Sequence, residues 1–176
     1  VFPDKSGMYF CYVISRRGIE EKPVVSKLEA VYRENPPQLR KYSSSDWYGA
    51  LYYDLRPFTV DQKRYYAILG IDYGNSFITR KLIDVMDLTD PSNPRFGLDC
   101  FTDGKSLLSR IIFQYSSSAV MSLRFETDAT IVFDHLSPFL PEFSGNFQFY
   151  GPDFTFDSYN FEKGFWKFKS DIDIKN

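Results

Sequence analysis

Residues 109–134 read SRIIFQYSSSAVMSLRFETDATIVFD, and this stretch decides the fold class. Three apolar runs, 109–116, 119–126 and 129–134, are separated by a Ser-rich turn and by Thr127-Asp128. In the middle run Met121, Leu123 and Phe125 alternate with Ser122, Arg124 and Glu126. A period of two gives a pleated strand one packed face and one wet face. The stretch therefore predicts a three-strand antiparallel meander.

Reading outward, the same signals recur. Residues 147–150, 155–161 and 165–168 are aromatic runs broken by Gly151-Pro152-Asp153 and by Lys163-Gly164, both turn-like strings. Upstream, 47–55 (WYGALYYDL) and 64–71 (RYYAILGI) flank a polar turn at Asp61-Gln62-Lys63. Residues 77–88 (FITRKLIDVMDL) fit either period; with strand-like neighbours and no clean N-cap they are read as strand. Residues 8–14 (MYFCYVI) make a short buried strand. Residues 26–34 (SKLEAVYRE) are the best helix, with Leu28, Val31 and Tyr32 on one face and Pro36-Pro37 ending it. Ser43-Ser44-Ser45-Asp46 reads as a turn. Eight to ten strands and one or two short helices predict a mainly β protein, an antiparallel β-sandwich or partly open barrel. Residues 1–41 form an N-terminal strand/helix segment, expected to end a longer upstream region because the chain opens Val1-Phe2-Pro3-Asp4; 42–176 form an all-β domain.

Composition narrows the function classes. The chain has 176 residues, 21 Lys+Arg against 23 Asp+Glu, and 19% aromatic residues. No global basic field recruits nucleic acid, and the aromatic-rich C-terminal half is acidic, the opposite of a base-stacking surface. No apolar run is long enough for a spanning helix. Residues 1–41 hold eight Lys/Arg against five Asp/Glu, whereas 125–162 hold seven acids and no Lys or Arg. Cys11 and Cys100 leave two readings open: buried free thiols, or a disulfide worth roughly 4–5 kcal/mol by loop closure.

Reactive groups are sparse. The single histidine, His135, follows Asp134, but neighbours on an extended strand point to opposite faces, so Asp134 is a poor orienting partner. No nucleophile elbow, phosphate loop or zinc spacing occurs, and no cofactor is implied. Asp153 and Asp157 would lie ~13 Å apart along a regular strand. That spacing argues against a calcium site without removing it, unless a turn folds Asp153 back. A hydrolase built from His135 with Asp134, Asp153 or Asp157 is the weakest reading. A glycan or cell-surface polymer would be bound by exposed aromatics such as Trp47, Tyr48 and Trp166.

The ordered blocks DWYGALYY (46–53), LGIDYGN (69–75), KLIDV (81–85), IFQY (112–115), MSLR (121–124), IVFDHL (131–136) and YGPD (150–153) carry a resemblance. Through them residues 42–176 resemble a family of exported Bacteroidota proteins with no established activity. The resemblance implies a signal peptide upstream and a periplasmic or outer-membrane-associated location. Together these readings predict a non-enzymatic structural or interaction module, an accessory subunit that meets other envelope proteins.

Overall fold

The computed structural model describes residues 9–16 and 18–173. Strands β1 (Cys11–Ser15) and β2 (Val24–Leu28) form an antiparallel hairpin. Then follow β3 (Tyr42–Ser43), β4 (Leu51–Val60), β5 (Lys63–Asp72), β6 (Ile78–Asp87), β7 (Arg95–Phe96), β8 (Phe101–Thr102) and β9 (Leu107–Leu108). The last five are β10 (Ile111–Ser116), β11 (Leu123–Thr127), β12 (Thr130–Pro138), β13 (Tyr150–Glu162) and β14 (Phe165–Lys169). One six-stranded sheet runs β3-β7-β6-β5-β4, with β10 also on β6; the other runs β11-β12-β13-β14-β8-β9. Within these two sheets the described strands pair antiparallel except for the short β14–β8 contact. The described residues are mainly β, form no closed barrel, and are consistent with a sandwich.

Three layers result. Between the two large sheets lies a core that includes Leu69, Ile83, Val85, Phe101, Ile131, Phe133, Tyr159 and Trp166. A second core, with Leu28, Trp47, Ile68, Leu82 and Phe96, lies between the first sheet and the N-terminal hairpin. Ala67 and Leu69 of β5 point into the first core and Ile68 into the second. That double burial explains why residues 64–71 read as a continuous apolar run instead of an alternating one. The β4–β5 turn closes on Asp61 and Gln62, both at positive φ (47° and 64°), the two-residue geometry whose twist suits a hairpin.

Several sequence expectations change. Residues 26–34 are not helical: 24–28 form β2, and Ala30 bridges Trp47 in parallel. Leu28 is buried while Val31 and Tyr32 are 42% and 70% exposed, so the presumed helical face does not exist. Backbone pairing of Glu29 and Val31 with residues 44–47 outweighs a weak local propensity. Among the described residues, helical structure is confined to single 3-10 turns at Ser44–Asp46, Pro141–Phe143 and Phe147–Phe149. The meander splits as well. β11 and β12 pair as expected, but β10 joins β6 in the opposite sheet, and the Ser-rich stretch crosses between layers. Residues 77–88 hold as strand, mostly as β6. Of the expected terminal strands, 147–150 begins as a helical turn, and Gly151-Pro152-Asp153 lies inside β13.

Both cysteines are free thiols, so the bridged reading falls. Cys100 belongs to the inter-sheet core and Cys11 packs against the core under the hairpin, so the first sheet separates them.

Candidate functional site

The sequence-derived candidates part company in the structure. Trp47 and Trp166 are 0% exposed and Tyr48 is 6% exposed, so none offers a ring face to a sugar. Each fills a core: the Trp47 indole N–H donates to Tyr52 Oη at 3.0 Å, and Trp166 packs edge-on against Phe58. Aromatic residues on sheets bury large areas, and that is their use here.

His135, Asp153 and Asp157 converge. The cause is a bulge. In the β12–β13 ladder Asp134 faces Phe156 and Leu136 faces Pro152, so Asp153, Phe154 and Thr155 stand against His135 alone. Extra residues in one strand kink it locally and re-aim side chains. Here the kink brings Asp153 back toward the imidazole, while Asp157 reaches it from one pleat further on. His135 Nδ1 and Asp157 Oδ2 are 2.7 Å apart, and a carboxylate only accepts, so Nδ1 carries the proton. On the other ring edge Nε2 is 4.0 Å from Asp153 Oδ2. Asp157 is buried and also accepts the Asp171 N–H at 3.1 Å, tying down the chain beyond β14. Asp153 Oδ1 accepts both the N–H and the hydroxyl of Thr155. Asp134 points away and accepts the Ser122 N–H at 2.7 Å, as strand geometry requires.

The electrostatics follow from this geometry. The hydrogen bond to Asp157 lifts the His135 pKa, against partial burial, with the Asp157, Asp153 and Asp171 charges adding to the rise. Burial alone would raise Asp153, but the Thr155 hydrogen bonds and His135 outweigh it and hold the carboxyl below its ordinary value. An imidazole between two carboxylates has its cationic form favoured. A general base needs a free Nε2 facing a nucleophile or substrate; this Nε2 makes no hydrogen bond among the described residues, and Asp153 Oδ2 stands 4.0 Å from it. Neither thiol lies here, and the Thr155 hydroxyl is committed to Asp153. An open cleft of about 280 Å³ lies elsewhere, lined by Ser15, Glu21, Lys22, Val24, Asp90, Pro91 and Ser92. Among the described residues, no three His, Cys, Asp or Glu side chains are placed to hold a metal ion. The arrangement is a clamp that locks a bulge.

The clamp makes a pH prediction. Because the folded pKa of His135 is raised, its contribution to stability is full below about 6.5 and fades as pH rises through the folded value. The side chain is 45% exposed, so screening keeps that contribution small, and the titration itself is the better readout. An NMR titration of the imidazole should give a midpoint above about 6.5, with Asp157→Asn bringing it down. A wild-type midpoint at or below the ordinary value would refute the clamp.

At the tip of the bulge sits a residue that no sequence signal marked. Phe154 has φ of +71° and is 93% exposed. Positive φ is disfavoured for a bulky side chain, and full exposure returns no packing. Only the adjacent Gly-Pro-Asp string, read as a turn, pointed to an irregularity.

No family model, curated protein or solved structure matches the chain. Among the described residues no helix is long and apolar enough to cross a membrane, which leaves strand-based crossing untouched.

Proposed function

We propose that the chain is a non-enzymatic contact module of an exported assembly, an accessory subunit in the periplasm or at the outer membrane. The exported setting rests on the sequence resemblance. The contact role rests on one observation, the outer face of the β1–β2 hairpin. Phe10, Tyr12, Ile14 and Val25 are 69%, 58%, 69% and 59% exposed there. The inner face of the hairpin already covers the first sheet through Leu28, so the fold itself does not need these four side chains. An outermost strand layer normally shows water a polar face; clustered apolar side chains there mark a surface that meets something.

Tagged chain purified from the envelope fraction of its native host should bring other proteins with it in stoichiometric amount. Tyr12→Lys combined with Ile14→Lys should release them without shifting the melting temperature, since exposed substitutions away from special features change stability little. Companions retained by that variant, or a wild-type chain that purifies alone, would overturn the reading.

A further inference from the structure

Three loops meet at one end of the sandwich, those joining β5 to β6 (73–77), β10 to β11 (117–122) and β12 to β13 (139–149). Ser116 ends β10 opposite Ile78, where β6 begins, and the Ser117 N–H donates to the Phe77 carbonyl at 2.9 Å. The Phe139 ring and the Ala119 methyl both close over Gly151, 3.4 and 3.6 Å from where a Cβ would stand. These loops present Phe77, Val120, Phe139 and Leu140, which are 65%, 86%, 66% and 49% exposed. One charged residue, Glu142, occurs in the three loops, against 25% charged residues across the chain.

Backbone satisfaction and shape together select what this end meets. In the 139–149 loop the N–H groups of Phe139, Phe143, Ser144, Asn146 and Phe149 donate to carbonyls of the same loop, and that of Gly145 to the Tyr150 hydroxyl. In the 73–77 loop the N–H groups of Gly74, Asn75 and Phe77 donate to the Asp72 carboxylate, the Ile78 carbonyl and the Asn75 side chain. A protein partner supplies hydrogen bonds to open loop backbone; hydrocarbon supplies none, so loops that enter it must bring their own. Apolar side chains standing proud on three separate loops would need as many matching sockets in a rigid protein, whereas a bilayer yields around them. The near-absence of charge suits zwitterionic headgroups and offers little to a charged partner.

We propose that this end of the sandwich seats shallowly on a zwitterionic lipid bilayer, with Phe77, Val120, Phe139 and Leu140 entering the boundary between headgroups and acyl chains. The inference goes beyond the contact-module reading: surface and occupant are both different, and none of the hairpin's four apolar side chains takes part. Tyr73, exposed in the first loop, is of a residue type that settles at headgroup level. Apolar burial drives the attachment, so it is reversible and insensitive to salt.

Co-sedimentation of the full chain with phosphatidylethanolamine–phosphatidylcholine vesicles tests this. Wild type should pellet with the vesicles, in a fraction that changes less than about twofold between about 0.05 and 0.5 M salt and that added phosphatidylglycerol does not raise. Val120→Asp should weaken partitioning at least about tenfold. Its melting temperature should hold, since so exposed a side chain adds little to the fold. Phe77→Asp gives the same readout from a second loop if Val120→Asp fails to fold. Val120→Trp adds an exposed indole to two enclosed ones, and its emission should move to the blue when vesicles are added. A wild type left in the supernatant, Asp variants that bind as wild type does, or binding that collapses in salt or needs anionic lipid would each overturn the proposal. So would envelope companions lost from Val120→Asp in a chain that binds no vesicles, which would give this end to a protein. Tyr12→Lys with Ile14→Lys should leave vesicle binding as it is, so the hairpin reading and this one fail separately.

Discussion

Arg110→Met alone should destabilise the protein by about 3–5 kcal/mol, the cost of leaving a buried charge without its partner. Arg110 and Asp84 are both 0% exposed. Arg110 Nε donates to Asp84 Oδ2 at 3.0 Å and Nη2 to Oδ1 at 3.2 Å. The remaining Nη1 donates to the Arg40 carbonyl, and the guanidinium lies 4.2 Å from the Tyr42 ring centroid. One residue thus joins β6, the entry to β10 and the segment before β3. Burial pushes the Asp84 carboxyl up, and Arg110 together with the Val85 N–H pulls it back. Removing the arginine leaves burial less opposed, so the folded pKa of Asp84 climbs further above its unfolded value. Stability tied to a raised carboxyl is present below the unfolded pKa and lost as pH rises. The deficit of the variant should therefore widen as pH rises above about 4. Urea titrations would measure it, and the melting temperature should fall by roughly 10 °C. Asp84→Leu with Arg110→Met should recover most of the loss, apart from the stranded Arg40 carbonyl. A single-variant cost under about 1 kcal/mol would show that water reaches the pair.

The polarity of that pair was invisible in the sequence, because Asp84 and Arg110 are 26 residues apart and nothing local ties them. The same limit shaped the rest of the reading. Residues 123–127 and 130–134 were legible as strands because Leu123 and Phe125 alternate with polar neighbours, and alternation is a local record of one wet face, whereas 119–122, read as part of the same strand, precede it. The sheet to which β10 belongs is set by long-range pairing with β6, which no local record carries. The third layer was hidden for a different reason. Ile68 and Leu69 look alike in sequence, yet one faces the hairpin and the other the second sheet. At the clamp, the requirement that Asp153 be folded back was legible from strand geometry. That the Gly-Pro-Asp signal marks a bulge inside a strand, and not the end of one, depended on His135 waiting across the ladder and on Asp157 further along β13.

The two tryptophans allow a paired experiment whose outcome depends on which polar atom has a partner. Trp166→Ala should cost about 3–5 kcal/mol, because the ring is wholly enclosed and packs against Phe58 and Phe161. Any ligand binding lost in that variant would report unfolding and not a missing sugar platform. Phenylalanine separates volume from hydrogen bonding. Trp166 Nε1 is buried with no hydrogen-bond partner, so Trp166→Phe deletes an indole N–H that forms no bond in the fold, and only the volume term remains. Trp47→Phe leaves a similar void and also strips the Tyr52 hydroxyl of the indole N–H that it accepts. A buried group left unsatisfied costs about 1–3 kcal/mol more. Trp47→Phe should therefore be the more damaging of the two by that margin in urea denaturation. Equal losses would mean that the Tyr52 hydroxyl finds another partner, and that the core under the hairpin is held by packing alone.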